Sequence, residues 1–267
     1  MSSLQPIQIS EIPDTIKQYA GEIHSIRFPQ QGCTSDLGII ECNGISLALK
    51  RAKDPLYNAW LKKEHFVLRC LSTETTIPVP KIKKLDIDSD KTQVWLLMEF
   101  LEGRTLRTAL SKETNQAVRS ELIYNFGKML HQIHSTACPK ELMKEEPWLE
   151  AMLADAEYNL ANYKVDGSKI LLEKISSNKP KAFAPTLIHG DFTMDNVLVE
   201  NGKISAVIDW AGGTYGDPRY DVSLSIRPKP GLFESENDKE MFFQGYGKKI
   251  IDNEEYEYFA NGLYEFF

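Results

Sequence analysis

The sequence predicts an α+β fold of two lobes, a small antiparallel sheet over residues 1–99 followed by a mainly helical lobe over 104–267. Three observations carry this. Short β-rich runs flank a two-residue hairpin signal, Asn43-Gly44, early in the chain. Helical periodicity takes over after the short crossing segment Phe100 to Gly103. Within the helical part, β runs return briefly around a second hairpin signal, Asn201-Gly202. At 267 residues, with 42% hydrophobic and 26% charged residues, the chain has the size and composition of a globular protein with a sizeable core.

In chain order, His24 to Pro29, Leu37 to Cys42 and Ile45 to Lys50 read as strands. After Pro55 the spacing of Trp60, Val67, Leu68 and Leu71 fits one face of a helix, which Pro78-Val79-Pro80 stops. Strands about Lys81 to Leu85 and Gln93 to Glu99 complete the first lobe. Beyond the crossing segment, Thr105 to Ser111 and Gln116 to Ser135 read as helices, with two amphipathic stretches between Glu141 and Ser176. The β runs lie in Leu187 to Glu200 and Ile204 to Trp210, and helices resume through Asp221 to Ile226 and from Asp238 to the end. The chain shows no internal repeat.

A net charge of −7 argues against a nucleic-acid surface, which needs clustered Lys and Arg. Cys33, Cys42, Cys70 and Cys138 form no C-x-x-C pair, so no zinc site or disulfide framework is expected, and a reducing cytoplasm is the expected compartment. Met1 to Ser10 lacks the basic-then-apolar pattern of a secretory leader, and no apolar run is long enough for a membrane span. A monomer or weak homodimer is expected.

The chemistry concentrates in His189-Gly190-Asp191-Phe192-Thr193-Met194-Asp195-Asn196. Phosphoryl transfer needs metal ligands on the phosphates, a cation beside them, and a carboxylate that positions the attacking hydroxyl. Asp191 and Asn196 lie on one loop between apolar runs, and Asp209 follows the apolar strand Ile204 to Ile208, which delivers a second hard oxygen ligand. His189-Gly190-Asp191 with Asn196, followed by Val207-Ile208-Asp209-Trp210, resembles the aminoglycoside phosphotransferase family of the protein-kinase-like superfamily. The resemblance spans about residues 20 to 267. It implies a two-lobed kinase-like fold binding ATP, or GTP, and Mg²⁺ between its lobes, with Asp191 as the catalytic base or hydroxyl-orienting carboxylate and Asn196 and Asp209 as metal ligands. Asp195 is read as a solvated loop residue without a role.

Leu47-Ala48-Leu49-Lys50 resembles the strand that supplies the phosphate-contacting lysine, making Lys50 that cation. Glu64, on the apolar face of the following helix, resembles the glutamate that orients this lysine; the alternative is a helix-edge carboxylate near Lys62 and Lys63. Leu96 to Gly103 resembles the hinge, residues 100–103 connecting the lobes, and by position the carbonyl of Glu99 and the amide of Leu101 would face adenine. An ordinary strand-to-helix connection is the alternative. Gln31-Gly32-Cys33-Thr34-Ser35-Asp36 stands where a phosphate-covering loop is expected, without G-x-G-x-x-G; Thr34 and Ser35 are candidate contacts, and a plain hairpin turn is the alternative. Asp221, in Gly216 to Asp221, is expected to support the catalytic loop by accepting from its backbone. His131 and His134 lack the Glu of H-E-x-x-H and read as structural or capping residues.

For the acceptor, nine acidic residues between Glu234 and Phe267 face only Lys239, Lys248 and Lys249. Glu141, Glu145, Glu146, Glu150, Asp155 and Glu157 form a second acidic group opposed by Lys144. If both line one cleft they attract a polycation; a solvated helix face is the alternative. Tyr264-Glu265-Phe266-Phe267 resembles the ending of aminoglycoside-modifying members, which implies Glu265 and the Phe267 carboxylate as acceptor ligands, although Tyr264 stands where a further acid is expected. Phe259, Leu263, Phe266 and Phe267 can equally dock the last helix. The expected activity is O-phosphorylation of a small cationic hydroxyl compound, first an aminoglycoside. Macrolide, choline, fructosamine, homoserine or thiosugar acceptors, or a pseudokinase that only binds nucleotide, remain alternatives.

Overall fold

The computed structural model describes residues 5–29, 34–230, 232–233 and 235–267. They fall into two compact units: one runs to Glu102 and takes in Ile208–Ala211, the other comprises Gly103–Val207 and Gly212–Phe267.

The first unit is built on β1 (Ile23–Arg27), β2 (Asp36–Cys42), β3 (Ile45–Ala52), β4 (Ile82–Ile87) and β5 (Val94–Glu99), antiparallel in the order β1-β2-β3-β5-β4. Asn43 and Gly44, at φ 50° and 78°, form the tight turn that closes a two-residue hairpin and sets Cys42 opposite Ile45. α1 (Asp14–Ala20) precedes the sheet, and α2 (Pro55–Glu74) follows β3. Asp54 caps α2 by accepting from the Leu56 amide at 2.9 Å, and Pro55 occupies the first turn, where its missing N–H costs nothing. Leu61, Glu64, Val67, Leu68 and Leu71 share the buried face of this helix, whereas Trp60 is only half-buried.

The other face of the sheet carries a layer absent from the strand-and-helix pattern expected. Ile7, Ile12, Ile16 and Ala20 pack on Ile40, Leu47, Leu49 and Leu97. Arg51, 1% exposed, fixes this layer: it pairs with Asp36 at 2.8 Å and Glu11 at 3.0 Å, and donates to the Gln5 carbonyl at 3.3 Å. A buried guanidinium persists because its donors are taken up by carboxylates and a carbonyl.

The second unit contains α3 (Leu106–Lys112), α4 (Gln116–Ser135), α5 (Trp148–Asn162), α6 (Lys169–Ser177), α7 (Pro218–Ser225), α8 (Glu236–Tyr246) and α9 (Asn253–Ala260). Two small sheets interrupt the helices: β6 (Arg104–Thr105), β8 (Val197–Glu200) and β9 (Lys203–Val207) in the order β6-β8-β9, and β7 (Thr186–Ile188) with β10 (Thr214–Gly216). β6 and β10 are too short to leave a period-2 pattern, and the sequence did not reveal them. The β8–β9 turn uses Asn201 and Gly202 at φ 50° and 75°, and sets Val197 opposite Val207. Phe126 of α4 stacks on Phe192 with ring centroids 4.8 Å apart and lies 5.6 Å from the Phe242 ring of α8. Among the described residues no helix is long and apolar enough to cross a membrane.

α4 and α8 approach closely because each places a glycine at the crossing. A Cβ on Gly127 would stand 2.1 Å from the Phe242 carbonyl oxygen, and one on Gly245 1.9 Å from that of Tyr124. Both neighbours are backbone, which cannot rotate away. Gly127→Ala should therefore destabilise the fold by about 1–3 kcal/mol despite the better helix propensity of alanine. Urea unfolding measures this, and a variant as stable as the parent would contradict the crossing.

Candidate active site

In the first unit the alternation of β3 puts Lys50 on the same face as Ala48, in register with Leu37 and Leu96. Glu64 comes from the buried face of α2, and the two meet: Lys50 Nζ donates to Glu64 Oε1 at 2.7 Å and Oε2 at 2.9 Å. Lys50 also pairs with the Asp209 carboxylate. Burial alone would lower the Lys50 ammonium, but Asp209 and Glu64 outweigh it and raise the group above its ordinary 10.5. Burial raises the Glu64 carboxyl against the opposing pull of Lys50. Asp209 adopts φ 62°, a left-handed backbone that Asp tolerates better than most side chains, and its carboxylate is 48% exposed.

The remaining residues expected around the nucleotide lie in or beside this sheet. Glu99 ends β5; its backbone N–H donates to the Lys81 carbonyl at 2.8 Å, so its N–H is committed to the chain. Leu101 follows, half-buried, beyond Phe100, whose ring lies under the Arg27 guanidinium at 5.0 Å. Thr34 and Ser35 are half-buried in a bend leading into β2. Gln31, Gly32 and Cys33 of the same loop lie outside the described residues. Asp36 at its end is a buried partner of Arg51.

In the second unit the segment from His189 to Asn196 joins β7 to β8. Asp221, at the first turn of α7 and with no exposed surface, accepts from the His189 amide at 2.6 Å and the Gly190 amide at 2.8 Å. His134 adds a third contact, Nε2 to Asp221 Oδ2 at 3.3 Å, and its Nδ1 lies 2.8 Å from the Tyr246 hydroxyl. The arrangement fits an imidazole that donates from Nε2 to Asp221 and accepts at Nδ1 from the Tyr246 hydroxyl. Burial and then Asp221 raise the Tyr246 phenol, which stays a donor. Gly190 is at φ 82°, and a Cβ there would stand 2.5 Å from the Gly212 carbonyl oxygen, so the loop can pass Gly212 only as glycine.

These anchors present Asp191. Asn196 Nδ2 donates both to the Asp191 carbonyl and to its Oδ2, each at 2.8 Å. With its nitrogen committed, Asn196 turns its amide oxygen elsewhere. That oxygen and, in the first unit, the Asp209 carboxylate are each hard donors of the kind Mg²⁺ takes. Asp195 is a correction: it accepts from Nε and Nη2 along one edge of the Arg107 guanidinium of α3, while the Arg107 amide donates to the Met194 carbonyl at 3.2 Å. It fastens the loop to the helix.

The C-terminal segment departs further from expectation. Glu265 Oε1 pairs with Arg227 at 2.5 Å, so its charge is already neutralised within the chain. Tyr264 donates its phenolic O–H to Asp191 Oδ1 at 3.2 Å, a contact nothing in the sequence signalled. Phe266 is buried, and Phe267 is 40% exposed. The acidic run is largely consumed by structure. Asp238 is buried against Arg119 at 3.0 Å, Glu255 pairs with Arg219, and Glu236 with Lys239. Asp252 caps α9, Glu257 accepts from Asn261, and in the other acidic group Glu150 pairs with Lys179 at 2.6 Å. Glu234 lies outside the described residues.

A family model described as the phosphotransferase enzyme family matches residues 39–259. The chain belongs to this family. As a family member it is a small-molecule phosphotransferase enzyme. It is similar to an aminoglycoside 3'-phosphotransferase of Niallia circulans, 28% identical over 205 residues that cover 72% of this chain and 73% of the relative. A crystal structure of an aminoglycoside 3'-phosphotransferase of type VIII matches with TM-score 0.75 at 20% identity, over 92% of this chain and 93% of that one. The streptomycin–ATP–APH(2")-IIa ternary complex matches with TM-score 0.66 at 19% identity, over 92% and 86%. The family fold is thus the protein-kinase-like α+β fold expected.

A phosphotransferase with this many buried donors should weaken in alkali. Tyr246, Tyr258 and Tyr264 are each raised above 10.0, first by burial, and Lys50 above 10.5. Each raised group keeps its proton in the fold after the unfolded chain has lost it, so its stabilisation is complete below the ordinary value and lost as pH rises from there through the raised folded value. The melting temperature should hold from neutral pH to about 9.5 and then fall steeply. A flat profile to about pH 11 would contradict these environments.

Proposed function

We propose that the protein transfers the γ-phosphoryl group of ATP to a hydroxyl of a cationic small molecule, with an aminoglycoside as the first acceptor class. The observation that carries the reading is the buried Lys50–Glu64 pair on β3 and α2, which holds an ammonium ready for nucleotide phosphates. In this reading residues 1–99 bind the nucleotide, 100–103 form the hinge and 104–267 take the acceptor. The Glu99 carbonyl and Leu101 amide meet adenine, and Thr34 and Ser35 reach the phosphates.

Asp191 receives the proton of the attacking hydroxyl and orients its oxygen toward phosphorus; Asn196 keeps the carboxylate in place. Lys50, oriented by Glu64, neutralises non-bridging phosphate charge. Asn196 and Asp209 would hold magnesium, which supplies charge neutralisation on the phosphates when bound. Asp221 keeps the loop in register through the amides of His189 and Gly190.

Support for an aminoglycoside comes from the relatives; an amino group binding Glu265 has to exchange with Arg227. That ion pair favours a second reading, the same transfer to a less cationic acceptor such as a macrolide, homoserine or a thiosugar. A coupled ADP-release assay with ATP and with GTP, over aminoglycosides, macrolides and metabolite alcohols, separates them. Turnover with no aminoglycoside but with another alcohol would replace the first reading by the second, and no turnover with any acceptor would leave a nucleotide-binding pseudokinase.

Asp191→Ala should lower kcat by about 10²–10⁴-fold while nucleotide affinity stays within a few-fold of the parent, because the base acts in the transition state. Wild-type turnover in this variant would remove Asp191 from the chemistry. Glu64→Gln should instead raise KM for ATP with a smaller loss of kcat, since it releases Lys50 without touching the base. Steady-state kinetics with ATP varied distinguish the two patterns.

A further inference from the structure

Both oxygens of the Asp191 carboxylate are engaged within the second unit. Asn196 Nδ2 donates to Oδ2 at 2.8 Å, and the Tyr264 phenol donates to Oδ1 at 3.2 Å. An O–H on the carboxylate that is to take the acceptor's proton is the same contact an acceptor hydroxyl makes before attack. The phenol therefore holds the place of the nucleophile.

The ring is firmly mounted. The Arg227 guanidinium lies over Tyr264, 5.2 Å from its centroid, and pairs with Glu265 at 2.5 Å. The turn Leu263–Phe266 is fixed from two further elements: the Gly167 amide donates to the Glu265 carbonyl at 2.7 Å, and Asn159 Nδ2 to the Phe266 carbonyl at 3.0 Å. Phe266 is buried, and a Cβ on Gly167 would stand 2.5 Å from its ring.

Water competes with every acceptor of a phosphotransferase. Oriented by Asp191, a water would form a bond from its oxygen to the γ-phosphorus, the bond from phosphorus to the β,γ-bridging oxygen would break, Asp191 would take the proton, and ADP and phosphate would leave. We propose that Tyr264 is a specificity-determining residue that keeps water off Asp191 until an acceptor arrives. Its phenol occupies Oδ1 in the resting enzyme, and the acceptor hydroxyl displaces it. Water brings only its own hydrogen bond to this exchange, and gains nothing by replacing an equivalent, pre-positioned O–H. An acceptor brings binding energy from the rest of its molecule, which can drive the displacement. The inference rests on Asp191 being the base.

The test uses the full chain as wild type, Tyr264→Phe, Arg227→Gln and Asp191→Ala, with phosphate release from ATP measured in the absence of acceptor. Tyr264→Phe keeps the ring under Arg227 and removes only the hydroxyl. It should raise acceptor-independent hydrolysis on the order of tenfold, the factor that one hydrogen bond is worth, and lower acceptor KM. Arg227→Gln, which loosens the turn, should move hydrolysis in the same direction. A merely structural role would lower all rates together. Unchanged or reduced hydrolysis in Tyr264→Phe at wild-type melting temperature overturns the proposal. If that variant melts lower, unchanged hydrolysis in Arg227→Gln overturns it. Phosphate found on Tyr264 of the wild type by mass spectrometry also overturns it, since the residue would then be an acceptor. Retained acceptor turnover in Asp191→Ala defeats the base assignment instead, whatever the other variants do.

Discussion

The carboxylate of Asp221 organises the second unit. It has no exposed surface, so its charge is tolerable only because donors converge on it: two successive backbone amides and the His134 imidazole. Those amides belong to His189 and Gly190, so the same bonds that satisfy a buried ion also fix the backbone entering the Asp191 loop. Tyr246 of α8 orients the imidazole from behind. The geometry of Asp191 is thereby inherited from α4, α7 and α8, none of which carries a residue assigned to substrate.

Charge is handled the same way elsewhere in the chain. Composition alone suggests an acidic surface suited to a polycation, with a formal net charge of −7. Many of the individual acids have structural duties that the total hides: Asp238 with Arg119, Glu255 with Arg219, Asp252 capping α9, Glu265 with Arg227. An ion pair already made inside the protein offers an incoming amine an exchange, whose net gain is small compared with that of a waiting carboxylate. The acidic count is therefore weak evidence about the acceptor.

Much of the fold was legible because its elements follow local rules. The β2–β3 hairpin is set by Asn43-Gly44, and α2 by Asp54, Pro55 and the spacing of its apolar residues. Lys50 was legible only through the resemblance of its strand to the family's, and Glu64 through that resemblance together with its place on the apolar helix face; the fold brings the two together. The layer formed by Ile7, Ile12, Ile16 and Ala20 was missed because Pro13 splits it and the seven-residue helix offers less than two full turns of pattern. Arg107 with Asp195 and Tyr264 with Asp191 join residues 88 and 73 positions apart. Such pairings depend on how elements pack, and no spacing in a single sequence encodes them.

The stacked pair Phe126–Phe192 has a consequence for how the protein can change. Phe192 directly follows Asp191, and its ring is a full member of the core between α4 and α8. With Asp191 as the proposed base, stability and turnover draw on the same few side chains. A substitution selected only to tighten this core shifts Asp191 as well, and one selected only for activity at the loop disturbs the core, so in this part of the molecule adaptation to heat and adaptation to a new acceptor constrain one another.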